Sequence, residues 1–163
     1  MTQARTGSRR QARVYALQAL YQIDIGQVQA LPGLNALWAT LVDGEGVDGE
    51  RAPEVDEVEF AHRTVGGVEA HREAIDAMIE SCSTNWRLKR MPVVDRNILR
   101  LAAFELMHCP DIPGTVSVNE AIELAKLFGS EDTRSFVNGI VDRMGRQLHR
   151  LGDAGGRRRR DGV

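Results

Sequence analysis

A chain of 163 residues, 42% hydrophobic and 27% charged, is long enough for one domain with a real core, and its composition is that of a soluble globular protein. No stretch approaches the roughly 18 uninterrupted apolar residues of a membrane span, and the basic N-terminus lacks the apolar run of a secretory signal, so a cytoplasmic protein is expected. The net charge of −2 conceals a segregation: residues 1–13 hold Arg5, Arg9, Arg10 and Arg13 and no acid, residues 143–163 hold seven arginines against Asp153 and Asp161, and the body between sets ten bases against 21 acids. Basic ends of this kind suit an anionic partner, and an acidic body suits a basic one.

The apolar spacing is helical almost throughout. Ala16, Leu17, Leu20, Tyr21 and Ile23 make a stripe over residues 9–26, the first predicted helix. Its start is unusual, because Arg9, Arg10 and Arg13 crowd the positive end of the helix dipole, at a cost of roughly 0.3–1 kcal/mol each. Arg10 and Arg13 also continue the phase of the apolar stripe rather than lying opposite it, which favours a bound anion over idle solvation. Phosphate is the natural candidate, since guanidinium matches it as a fork.

Pro32-Gly33 predicts a break, followed by a short helix over 34–42 and an acidic glycine-rich loop over 43–53. From Glu54 to Cys82 the pattern gives one long helix, which Gly66-Gly67 bends or splits. A turn at Asn85-Trp86 precedes Pro92 and a helix over 93–108, apolar around much of its circumference and therefore expected to be central. Pro110 and Pro113 end it. Ser117 and Glu120 have capping-box spacing for the next helix, Gly129 suits its stop, and Ser130 suits the cap of the last one. There Phe136, Val137, Ile140, Met144 and Leu148 share a face. The expected fold is all-α, about seven helices, with a basic arm at 1–8, one domain at 9–151 and a disordered Gly/Arg-rich tail at 152–163.

Catalytic signatures are missing: there is no GxGxxG, P-loop or GxSxG motif. His62, His71, His108 and His149 have no metal-ligand spacing, and Cys82 and Cys109 read as separate buried thiols. Glu105, inside the central helix, suits a hydrogen bond to a neighbouring helix better than general acid work. Neither catalytic residue, metal site nor cofactor is expected; the chain reads as a binding protein.

"RRQARVYALQALY", "NWRLKRMPVVDRNILRLAAFELMH" and "IPGTVSVNEAIELAKLFGSEDTRSFVNGIVDRM" together resemble the NusB transcription antitermination family over about residues 8–148. The resemblance implies two three-helix sub-bundles plus an N-terminal helix, with no enzyme activity. It implies binding to the boxA element of ribosomal RNA transcripts together with NusE, a small-subunit ribosomal protein, so that the elongating RNA polymerase reads through terminators. On this reading the anion met by the arginines is single-stranded RNA.

Position by position, Arg9, Arg10 and Arg13 fall in the family's arginine-rich RNA-binding start, which Gln11 interrupts here. Phe128, Asp132, Ser135 and Phe136 fall where family members contact RNA, with an aromatic to stack on a base and a carboxylate to accept from a base amino group. Phe136 is equally compatible with a core position and Asp132 with a helix N-terminus. Tyr21 and Asp95 match positions that face NusE. The resemblance leaves monomer or homodimer open. Two alternatives stand beside it: the RNA-targeting domain of an rRNA methyltransferase, disfavoured because no cofactor-binding loop occurs in these residues, and a protein-only helical adaptor. Salt separates the last, since four arginines on four phosphates predict a log–log slope of about −3, roughly a fifty-fold loss of affinity for a fourfold rise in salt.

Overall fold

The computed structural model describes residues 6–42 and 52–152, and every regular element among them is helical. In order these are α1 (Thr6–Gly26), α2 (Ala30–Val42), α3 (Val55–Ala70), α4 (Arg72–Cys82), a single 3-10 turn (Leu88–Arg90), α5 (Val93–His108), α6 (Gly114–Phe128) and α7 (Glu131–Gln147). Arg5, most of the acidic loop and the Arg157–Arg160 tail lie outside the described residues. No described helix is long and apolar enough to cross a membrane.

α5 is the axis. α1, α2 and α3 pack together on one side, α4, α6 and α7 cover other faces, and α1 and α3 also lie along α5. The circumferential apolar pattern of α5 is the cause: Ile98, Leu99, Leu101, Ala102, Ala103, Phe104 and Leu106 are all buried. Its polar residues Asp95, Asn97, Arg100 and Glu105 are buried too, so each has to find a partner on a neighbouring helix.

Several boundaries differ from expectation for local reasons. α1 starts at Thr6, three residues earlier than predicted. Pro32-Gly33 does not break the chain; both sit in the first turn of α2, where a missing N–H costs nothing. The reversal occurs instead at Gln27, whose φ of 50° is left-handed. The long helix from Glu54 divides at His71, not at Gly66-Gly67. Gly67 stays helical because it serves packing: a Cβ there would lie inside the Phe104 ring of α5. Gly129 does end α6, and Ser130 caps α7 by accepting from the Thr133 N–H at 3.3 Å. Both cysteines are free and buried.

The two adjacent glycines give a paired test. Gly67→Ala overpacks α3 against Phe104 and should lower unfolding free energy by about 1–3 kcal/mol. Gly66→Ala meets nothing within 4 Å and should raise it by about 0.5–1 kcal/mol through helix propensity. Urea midpoints of the two variants measure both; equal shifts would refute the close approach.

Candidate nucleic-acid interface

The N-terminal arginines are the first candidates, and they are not equivalent. Arg13 is 2% exposed. Its Nε and Nη2 donate to the two carboxylate oxygens of Glu105 on α5, both at 2.8 Å, and the Ser117 hydroxyl on α6 donates to the same carboxylate at 2.8 Å. Arg13 therefore does not lie on the surface where the sequence reading set it against RNA; its anion is a protein carboxylate. Ser117 in turn is no helix cap. α6 begins three residues earlier, at Gly114, which puts Ser117 in the buried face.

Arg10, almost one turn before Arg13, is half-exposed. It forks onto Glu120 of α6, with Nε and Nη2 each 3.1 Å from a carboxylate oxygen. Glu120 is thus the partner of Arg10 and not the second half of a capping box. Arg9 is exposed, with its guanidinium 5.6 Å from the centre of the Phe60 ring on α3; that of Arg13 lies 5.1 Å from the same ring. Arg9 and Arg10 are the arginines of this start that reach solvent among the described residues.

The second group gathers at the junction of α6 and α7. Phe128 ends α6 at 42% exposure, and Asp132 and Ser135 are exposed on the first turns of α7. Phe136 is half-buried and packs on the core, so its ring is divided between the two roles. Asp132, Ser135 and Phe136 stand at i, i+3 and i+4, on one side of α7.

These two groups are apart. Arg13 meets α5 at Glu105, whereas Asp95, in the first turn of α5, accepts from the Thr133 hydroxyl of α7 at 3.0 Å. Ten residues of α5 separate the attachment points, roughly 15 Å of helix. Asp95 is itself 5% exposed, and burial, only partly offset by the Thr133 hydrogen bond, pushes its carboxyl above the ordinary range. Its side chain lies beneath the surface and holds α7, rather than projecting toward a partner. Tyr21 does reach the surface, at 40% exposure. One turn further along α1, Asp24 accepts from Arg96 at 2.6 Å, from Asn97 at 3.0 Å and from Arg100 at 3.0 Å. Burial pushes the Asp24 carboxyl up, but the hydrogen bonds from Arg96 and Asn97 and the charges of Arg96 and Arg100 outweigh it and hold it below the ordinary range.

Among the described residues no group of three or more His, Cys, Asp or Glu side chains could hold a metal ion. His71 and His108 stack with centroids 3.9 Å apart, an arrangement the sequence did not suggest. Sequence reasoning also missed Glu120, Glu105 and Phe60 as the setting of the arginines. Glu105 was expected to bond a neighbouring helix, and does, but nothing in the sequence said which one.

The two carboxylates predict different costs. Glu105→Gln leaves a buried guanidinium without a counter-charge and should lower unfolding free energy by about 3–5 kcal/mol. Glu120→Gln weakens a half-exposed pair and should cost about 1 kcal/mol or less. Chemical denaturation of both variants is the measurement, and comparable losses would contradict the burial of Arg13.

Comparison with known proteins places the chain. The sequence profile of the NusB family matches residues 10–146. The transcription antitermination protein NusB of Myxococcus xanthus is 46% identical over 144 residues, covering 88% of this chain and 99% of that protein. The structure of T. maritima NusB superposes with a TM-score of 0.73 at 33% identity, covering 88% of this chain and 97% of that one. A structure of antitermination factors NusB and NusE in complex with dsRNA gives a TM-score of 0.72 at 24% identity, covering 88% and 99%, and at that identity it shows the fold. Spanning nearly the whole of its relatives and matching their profile from Arg10 to Arg146, the chain belongs to the NusB family.

Proposed function

We propose that the protein is an RNA-binding transcription antitermination factor of the cytoplasm, without catalytic activity, that binds boxA RNA together with NusE and joins the elongation complex. Family membership over nearly the full chain carries the reading. The geometry supports it through two solvent-facing arginines at the start of α1 and an exposed aromatic, carboxylate and hydroxyl at the α6–α7 junction.

In this reading each residue has a role set by its exposure. Arg9 and Arg10 hold phosphates. Phe128 stacks on an unpaired base, and Asp132 and Ser135 offer hydrogen bonds to base edges or sugar. Phe136 supports that surface from its half-buried place. Arg13 and Asp95 act by positioning, the one fixing α1 on α5 and the other fixing α7. Tyr21 and the acidic body face NusE, a basic ribosomal protein.

Fluorescence anisotropy with boxA RNA, a scrambled RNA and added NusE tests the assignment. Selective binding that strengthens with NusE is expected. Arg9→Ala with Arg10→Ala should flatten the log–log salt slope by about 1.4, two phosphates' worth for a single strand. Glu120→Gln removes the carboxylate that competes with phosphate for Arg10, and should tighten binding by about 1.5- to 5-fold, the worth of an exposed ion pair. Weak, equal binding to both RNAs under every condition would leave a protein-only adaptor.

A further inference from the structure

Residues 83–92, between α4 and α5, look in sequence like a connecting turn. In the structure they form a fixed platform. Leu88 and Met91 are buried and anchor it. The Ser83 hydroxyl donates to the Trp86 carbonyl at 2.9 Å, the Leu88 N–H donates to the Glu80 carboxylate at 3.2 Å, and Leu88–Arg90 closes one 3-10 turn. With its underside fixed, the segment turns Trp86, Arg87, Lys89 and Arg90 to solvent, Trp86 at 52% exposure.

The charges here are set apart from the rest of the body. No acid occurs from Ser81 to Val94. Most other described cations hold a carboxylate or backbone carbonyls, as Arg63 holds Asp111 and Arg150 holds the end of α5. Arg87, Lys89 and Arg90 form no ion pair among the described residues, although acids outnumber bases two to one in the body. Lys89 also lines a cavity of about 590 Å³ with Asp24, Glu73, Asp76 and Glu80. Asp24 and Asp76 are taken by Arg96 and Arg100, Glu80 accepts from the Leu88 N–H, and neither Glu73 nor Glu80 forms an ion pair with Lys89. Three neighbouring cations are thus left beside an exposed indole.

We infer that Trp86, with Arg87, Lys89 and Arg90, is a second contact for single-stranded RNA, a base stacking on the indole while the cations hold the flanking phosphates. The inference rests on the RNA-binding reading above. An acidic protein matches the charge alone; a nucleic-acid strand uses both the charge and the π-face. The location agrees. The segment enters α5 at Pro92, and Asp95 in the first turn of α5 bonds Thr133, so the platform lies at the same end of α5 as Phe128, Asp132 and Ser135.

The test uses the intact chain with boxA RNA. The sequence has two tryptophans, and Trp38 is half-buried with its indole N–H on His62 at 2.8 Å. RNA should quench tryptophan emission, and Trp86→Phe should abolish the quenching. Trp86→Ala should weaken binding about fivefold or more, the loss of one stacked base. The triple variant Arg87→Ala, Lys89→Ala, Arg90→Ala should lower the log–log salt slope by about 2, with the thermal unfolding curve unchanged. Binding by anisotropy that depends on Arg9 and Arg10, but leaves emission silent and the triple variant normal, overturns this inference and spares the RNA-binding reading. A triple variant that loses binding to polyglutamate and keeps full RNA affinity overturns it in favour of an acidic protein. Failure of the unmodified protein to bind any RNA, with or without NusE, overturns both.

Discussion

A buried guanidinium holds four helices to one another. Arg13 comes from α1, Glu105 from α5 and Ser117 from α6, and Phe60 of α3 lies against the same guanidinium. Taking two charges out of water costs several kcal/mol each, and only matched geometry offsets it. Here the fork is complete and a hydroxyl adds a third hydrogen bond to the carboxylate. The pair makes the alternatives expensive. Any slide of α1 along α5 strands a charge in the core, so the register is unique even though the surrounding apolar contacts tolerate repacking. A second pin works at the other end, where Asp24 of α1 collects Arg96, Asn97 and Arg100. Two polar pins on one helix pair fix translation and tilt together.

The same pins account for the arginines at the start of α1. Placed near a helix N-terminus they oppose the dipole, but the carboxylates of Glu105 and Glu120 arrive from other helices to offset that cost. With Arg13 locked inward, the helical repeat carries Arg10 to the rim and Arg9 to the surface. The interior pair thereby decides which guanidinium faces solvent and at what place. At the opposite end Asp95 has the corresponding task, since its bond to Thr133 sets the first turn of α7 and hence the stripe of Asp132, Ser135 and Phe136.

The helices were legible in the sequence because apolar periodicity is a local signal. So was the burial of α5, whose apolar residues leave no polar side. What failed to show was pairing at long range. Ser117 and Glu120 have the spacing of a capping box, yet each belongs to a partner over ten residues away, and no local pattern encodes that. Gly67 read as a weak point for the same reason: its absent side chain is explained by Phe104, 37 residues later. Family likeness marked Arg13 and Asp95 as part of the functional region but could not separate residues that touch a ligand from residues that hold those that do. Burial divides them by exposure, with Arg13 and Asp95 inside and Arg9, Arg10, Phe128, Asp132 and Ser135 at the surface.

The distribution of free cations has a further consequence for how a strand is held. Among the described residues the exposed cations without a carboxylate or carbonyl are Arg9 at the start of α1, Arg134 beside Thr133 on α7, and Arg87, Lys89 and Arg90 on the platform before α5, the first at one end of α5 and the rest toward the other. Ten residues of α5, roughly 15 Å, exceed the Debye length of about 8 Å at physiological salt. Across an acidic body the two ends therefore barely sense each other's charge. What couples them, on the proposed reading, is the RNA itself: once a strand is held at one end, the other end meets a tethered nucleotide at high effective concentration. Affinity then depends on the covalent continuity of the strand more than on the summed charge of the protein. Two modest contacts at a fixed separation select for length and flexibility, which suits a single-stranded partner and penalises a stiff one whose phosphates do not fall at that spacing.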